Sequence, residues 1–461
     1  MMTIENTTTN DIKNIIEAQR EFFASNATLD IEFRKKQLKK MRDALKKWEK
    51  PLLEALWLDL HKSNEEAILT ELSIVAGEVR NHIKNISRWA RHRRANTPLK
   101  MLPSRSHVVT EPLGNALIIA PWNYPIQLLL NPLVGAISSG CTALLKPSPY
   151  VPNVSKVIEK MIEDTFEKCY IAVVQGNREV NETLLANRFD IIFFTGSPTL
   201  GKKVMAAAAK NLTPVVLELG GKSPCIVDKD ADIKITAQRL AWGKTLNAGQ
   251  TCIAPDYLLI HESRIDEFVA EFGKAVKRLH GDKIKESRHY VRLVNDKAFE
   301  RVKNYINDGK VLYGGATDAK ERFIEPTLLY DIPLTSDVMT EEIFGPVLPM
   351  IPFKERSEVI RFIREREKPL ALYYFGKEKH GNEIIRLTSS GGSCINDVIM
   401  HIANENMPFG GVGNSGMGNY HGKLSFEAFS HKRAVVTTPT WLDLPFRYMP
   451  YRMFGLVKKL L

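Results

Sequence analysis

Cysteine is scarce in this chain of 461 residues: there are five, an odd number, and no Cys-x-x-Cys pair. That excludes a disulfide framework and a zinc ribbon, leaves no metal site expected, and fits a reducing compartment. No secretory signal is expected either, because the opening MMTIENTTTN has no basic segment followed by an apolar core. A cytoplasmic location is expected. Uninterrupted apolar runs of membrane-spanning length are also lacking. No charged residue occurs from Pro112 to Leu145, yet Pro121, Pro125 and Pro132 break the stretch, and Asn123, Gln127 and Asn131 would need partners in lipid. Buried strands flanking a buried helix account for it better. The C-terminal WLDLPFRYMPYRMFGLVKKLL is apolar but broken by prolines and basic residues, so it is expected to dock on a surface or a second subunit without spanning a bilayer.

Acidic residues are outnumbered, 53 against 64 Lys and Arg, for a net charge of +11. Much of the surplus lies in FRKKQLKKMRDALKKWEK and RWARHRRANTPLK. The first of these carries Leu38, Met41, Leu45 and Trp48 at helical spacing, so its lysines read as a solvated face. No aromatic-interleaved patch or recognised module accompanies the charge, and nucleic acid is not an expected partner.

What is present is the composition of a globular chain, 44% apolar and 25% charged, too long for one core. Residues 11 to 95 read as helices, and the Pro- and Ser-rich TPLKMLPSRSHVVTEPLG contains an alternating strand in SHVVTE. Strands and helices then alternate: NALIIAP, the helix IQLLLNPLVGAISSG, CTALLKP, the helix NVSKVIEKMIEDTFE, IAVVQG, DIIFFTG and the helix TLGKKVMAAAAK. Continuous apolar strands between helices predict a parallel sheet covered on both faces, with ligands at the carboxyl ends of the strands. APWNYP, LKPSP and FTGSPTLG then share one rim. After Glu218 the alternation resumes through SPCIVD, the 231–247 helix, YLLIHE, RIDEFVAEFGKAVKRL, LALYYFG and SCIND, which predicts a second α/β unit.

Three motifs carry chemistry. GSPTLGKK has the glycine spacing of a P-loop and Lys202 in place, but Lys203 stands where Ser or Thr would hold Mg²⁺. It is a pyrophosphate cradle or an ordinary helix start. GVGNSG, Gly411 to Gly416, satisfies G-x-G-x-x-G but follows NENMPFG and not a strand, so it reads as a packed glycine turn. NAGQTCIAPDY sets Cys252 in a short polar turn between a helix and a strand, as an inert small hydrophobe or as a nucleophile at the mouth of a cleft.

Taken in order, APWNYP, LLKPSP, FFTGS, LELGGKSP, NAGQTCIAPDY, EEIFGPV and PFGGVGNSGMGNYHG resemble the aldehyde dehydrogenase superfamily along nearly the whole chain. GQTCIAPDY and SGMGNYHGKLSFEAFSHKR are similar to its class 3 branch, which acts on fatty and aromatic aldehydes. The resemblance implies an α/β fold: a Rossmann-like cofactor domain (1–90 and 111–216), a catalytic α/β domain (217–400), and a small bridging and oligomerisation arm with the C-terminal tail (91–110 and 401–461). The arm implies a homodimer.

By the same resemblance Cys252 is the nucleophile, Glu218 the general base and Asn123 the oxyanion donor. Trp122, Lys146, Thr195, Gly196, Ser197, Leu200, Gly201, Glu342 and Phe344 are the implied cofactor residues, with Lys146 near the adenosine ribose and Glu342 and Phe344 at the nicotinamide end. Tyr124 is placed along the substrate tunnel. The implied reaction oxidises an aliphatic (medium- or long-chain) or aromatic aldehyde to the acid with NAD, through a cysteine thiohemiacetal and thioester. The alternative is a non-catalytic structural or binding member of the same fold. Relatives that pass the acyl group to coenzyme A generally lack the glutamate, so Glu218 favours a free acid. One departure concerns the cofactor: Pro149 replaces the acid of the family's KPSE, so NADP is expected to be accepted alongside NAD.

Overall fold

The computed structural model describes residues 4–443 and 448–451, with 454, 455 and 458. The docking expected of the C-terminal tail falls largely on residues outside that set. The N-terminal helices start where the sequence supplies caps. Thr8 accepts from Asp11 N ahead of Thr9–Ala24, and Asp30 accepts from the amides of Glu32 and Phe33 ahead of Ile31–Lys47. Leu38, Met41 and Leu45 are buried on that second helix, and the opposite face keeps its lysines in solvent.

A six-stranded sheet runs in the order Gly416–Met417, Val215–Leu219, Ile191–Gly196, Asn115–Ile119, Thr142–Lys146, Ile171–Val173. All its pairs are parallel except the short edge strand. The helix Gln127–Ser139 is buried at every residue, so the charge-free stretch is core. No helix among the described residues is long and apolar enough to cross a membrane.

The second sheet has seven strands, in the order Lys310–Tyr313, Thr327–Tyr330, Val347–Phe353, Tyr257–His261, Pro224–Val227, Ala371–Phe375, Gly392–Ile395. Only its first pair is antiparallel. An exposed antiparallel arm of three strands, Arg93–Ala95, Arg105–Pro112 and Ser430–Thr437, completes the α/β architecture.

The GVGNSG turn goes further than a packed turn. Gly416–Met417 stands at the edge of the six-stranded sheet, not in the arm, with Gly416 opposite Glu218. Gly416 has φ 144°, and a side chain there would strike the Leu217 carbonyl, so only glycine lets this backbone come so close. Two residues are too short to show any periodicity.

Candidate active site

Three strand ends and one helix end meet at a single cleft. Asn115–Ile119 runs into the Pro121–Pro125 turn, Ile191–Gly196 into the helix Pro198–Ala209, and Val215–Leu219 carries Glu218. The helix Ile233–Thr245 runs into the turn bearing Cys252, whose entry is left-handed at Asn247 (φ 50°) and Ala248 (φ 51°). The cavity enclosed is about 1050 Å³. Cys252, Glu218 and Asn123 line it, and so do Trp122, Thr195, Gly196, Ser197, Glu342 and Phe344.

Four expected site residues lie outside that lining. Tyr124 is buried behind it, its hydroxyl 2.7 Å from that of Thr251. Lys146 is buried at the end of its strand, where the ammonium donates to the Pro147 carbonyl (2.8 Å) and burial lowers its pKa to about 8. Gly201 is packed on Leu219 too tightly for any side chain. Leu200 instead lines a separate cavity of about 290 Å³ between Arg178–Ala186 and Pro198–Ala209, with Ile119, Leu185, Phe194 and Val204.

Hydrogen bonds hold the cysteine turn. Asn123 Nδ2 donates to the Gln250 carbonyl (2.9 Å), and Asn247 Nδ2 donates to the carbonyls of Asn123 (2.9 Å) and Gln250 (3.0 Å). Gln250 Oε1 accepts from Val294 N (3.0 Å), and Tyr373 OH donates to the Ile253 carbonyl (2.6 Å). Cys252 itself is half-buried. Burial, then the charges of Glu342 and Glu218, pushes its thiol pKa up.

The carboxyls are kept differently. Glu218 is 3% exposed, neither of its oxygens has a hydrogen-bond partner, and burial raises its pKa well above the ordinary carboxylate range. Glu342 is lifted to about 8 by burial and by Asp256. Its segment is pinned through the backbone: Arg301 donates to the carbonyls of Glu342 (2.9 Å) and Ile343 (3.0 Å), and Asp256 accepts from Ile343 N (2.9 Å). Asp256 in turn pairs with Lys222. Gly220 leaves space that the Glu342 carboxylate fills. Phe344, left-handed at φ 47°, meets the Trp122 ring edge-on at 5.4 Å.

Phe409 and Tyr420 also line the cavity, and the buried Tyr420 hydroxyl has no partner. Sequence reasoning missed both, although they sit inside the quoted PFGG and GNYHG stretches. It also missed Asn247, Lys222, Asp256 and Arg301, whose partners are distant in the chain. For a dinucleotide the fit is good. The buried Thr195 hydroxyl at a strand end lacks a partner, Ser197 caps the following helix through Leu200 N (3.4 Å), and the slot beside that helix is lined by Phe194 and Leu200.

The sequence model of the aldehyde dehydrogenase family matches residues 1–435. The 4,4'-diaponeurosporen-aldehyde dehydrogenase of Staphylococcus aureus is 45% identical over 446 residues, 95% of this chain and 97% of that protein. The dimeric NADP-preferring aldehyde dehydrogenase of Canis lupus familiaris is 44% identical, over 95% of this chain and 98% of its own. The structure of substrate-bound Staphylococcus aureus AldH superposes with a TM-score of 0.96 at 44% identity, covering 97% of this chain and 99% of that one.

Proposed function

The chain belongs to the aldehyde dehydrogenase family and is an NAD(P)-dependent aldehyde dehydrogenase, and from that premise we propose that it oxidises aliphatic (medium- or long-chain) or aromatic aldehydes to free acids through Cys252. The observation that carries this is the meeting of Cys252, Asn123 and Glu218 in one cavity.

A bare aldehyde carbonyl has no readily transferred hydride, so a covalent adduct must come first. Cys252 Sγ bonds to the carbonyl carbon as the thiol gives up its proton to solvent through the open cavity. The resulting oxyanion takes the Asn123 amide hydrogen that Gln250 does not hold, together with the Cys252 backbone N–H. The nicotinamide, when bound, supplies the hydride acceptor that leaves a thioester on Cys252. Glu218 then takes a proton from the water that cleaves it; a carboxylate whose pKa burial has raised is a stronger base than an ordinary one.

Apolar lining from Trp122, Leu128, Phe344 and Phe409 supports the substrate class. Thr195, Gly196 and Ser197 would hold the pyrophosphate, with Gly201 letting the helix close on Leu219 behind them, Glu342 and Phe344 the nicotinamide end, and the slot at Leu200 the adenine. Lys146, with Pro149 in place of an acid, supports acceptance of NADP beside NAD. The exposed arm supports a homodimer, and the dog relative is named dimeric. Cytoplasmic residence and the domain division stated above complete the reading, with Gly416–Met417 counted in the cofactor sheet.

The test follows reduced-nicotinamide absorbance over a panel of aldehydes for the wild type and Cys252→Ala. Turnover that the substitution abolishes is expected. Turnover that survives it, or none with aliphatic or aromatic aldehydes in the wild type, overturns the proposal.

A further inference from the structure

Beneath the Asn123 turn lies an ion pair that no step of this chemistry uses. Lys62 and Glu71 are joined at 2.7 Å, and both side chains are fully buried. Lys62 Nζ also donates to the Asn123 carbonyl (3.2 Å) and lies 4.3 Å from the centre of the Tyr124 ring. The second oxygen of Glu71 accepts from the amides of Ile126 (2.8 Å) and Gln127 (3.4 Å). Those amides open the helix Gln127–Ser139, which has no side-chain cap from its own N-cap residue. Two side chains therefore grip the 123–127 segment at both ends.

The backbone is shaped to deliver them. Ile68–Leu72 is a π-helical turn between Asn64–Ala67 and Ser73–Trp89. Such turns rotate the residues within them and recur at functional sites. Here Ile68 and Leu69 face solvent while Glu71 points inward. Lys62 follows His61, which is left-handed at φ 57°.

Stability does not account for the pair. Desolvating two charges offsets most or all of their attraction, and apolar replacements of similar volume are often neutral or better. What hydrocarbon cannot do is fix the direction of backbone polar groups. We propose that Lys62 and Glu71 are positioning residues for the oxyanion amide. They hold the Asn123 carbonyl, the Tyr124 ring and the Ile126 amide, so that Asn123 Nδ2, tied by one hydrogen to Gln250, aims the other into the cavity. This rests on the role proposed above for Asn123, and the test separates the two.

Lys62→Met/Glu71→Leu removes both charges at similar volume and leaves no unpaired ion. Lys62→Met alone, which removes the donor to the Asn123 carbonyl and leaves the Glu71 contacts to the helix start, serves where the double variant does not fold. The readout is the pre-steady-state burst of reduced nicotinamide, measured in these variants, in Asn123→Ala and in the combinations. The burst rate is expected to fall about tenfold to 10²-fold, the scale of a misplacement near 1 Å, while aldehyde KM and cofactor affinity stay within about twofold. On the Asn123→Ala background the same substitutions should cost nothing more, because groups acting as a unit are not additive. A wild-type burst in a folded positioning variant overturns the inference, and so does a full further loss on that background. A wild-type burst in Asn123→Ala overturns the oxyanion assignment instead.

Discussion

Asn123 and Glu218 face the same cavity and are kept in opposite ways. Asn123 donates its side-chain amide to the Gln250 carbonyl and accepts at its own carbonyl from Asn247 and Lys62, with Glu71 holding the backbone beyond. Around Glu218 the chain provides none: both carboxyl oxygens are buried without a partner. The contrast matches what each group is proposed to do. A donor to a developing oxyanion works by being fixed before charge appears. A base works by wanting a proton, and an unsatisfied buried carboxylate wants one more than a solvated one does.

The largest effect that breaks this comparison comes from Glu218→Gln. Removing the base while keeping volume should leave the hydride burst in place and lower steady-state turnover by about 10²–10⁴-fold, the range of general-base catalysis. The acyl-enzyme should accumulate, visible by intact mass as an acyl adduct on Cys252. A variant that loses burst and turnover equally would mean that Glu218 serves addition as much as hydrolysis, and the two groups would no longer divide the labour. Asn123→Ala sits next on the same scale, with the burst itself falling about 10²–10³-fold.

Much of the frame was legible because burial on both faces writes a simple pattern. Strands such as Asn115–Ile119 and Thr142–Lys146 are buried at every residue and read as unbroken apolar runs between helices. Cys252, Glu218 and Asn123 were legible as motifs in family order. Their supports were not. Lys62 and Glu71 belong to the 11–95 stretch that reads only as helices, and a π turn sends Glu71 inward. Lys222, Asp256 and Arg301 are surface residue types whose partners lie tens of residues away. Gly416–Met417 pairs with Val215–Leu219 across about half the chain, with no side-chain periodicity to announce it.

A smaller effect sharpens the contrast through stability. Glu342 keeps its proton up to about pH 8 in the folded chain, against an ordinary 4.5, and Glu218 is shifted in the same direction. Between those limits the unfolded chain has lost protons that the folded chain still holds at these groups, so the stability they contribute is fully present below about pH 4.5 and is lost as pH rises toward 8. The melting temperature of Glu342→Gln should therefore fall less than that of the wild type from pH 5 to pH 8, as should that of Glu218→Gln. The melting temperature of Asn123→Asp should fall more than that of the wild type over the same range, because the new buried acid faces the Gln250 carbonyl and must keep a proton to donate to it. Parallel pH profiles for wild type and Glu342→Gln would show that burial is not straining this carboxyl.

The smallest expected effect lies at the rim, where neither device operates. Pro149 is half-buried, between buried Ser148 and exposed Tyr150, just past the strand that ends at Lys146. Pro149→Glu restores the acid of the family's KPSE and sets a carboxylate where the adenosine ribose is proposed to lie. Two unit charges about 4 Å apart repel by about 1 kcal/mol in water and about 4 at an intermediate dielectric. A half-exposed site lies toward the first figure, so NADP should bind about tenfold more weakly, at about 1.4 kcal/mol, with NAD unharmed. Because the rim touches no reacting atom, the change should appear in the KM for NADP and leave kcat alone. A shift shared equally by NAD and NADP would place the 2′-position elsewhere, and Lys146 would then lose its claim to the ribose.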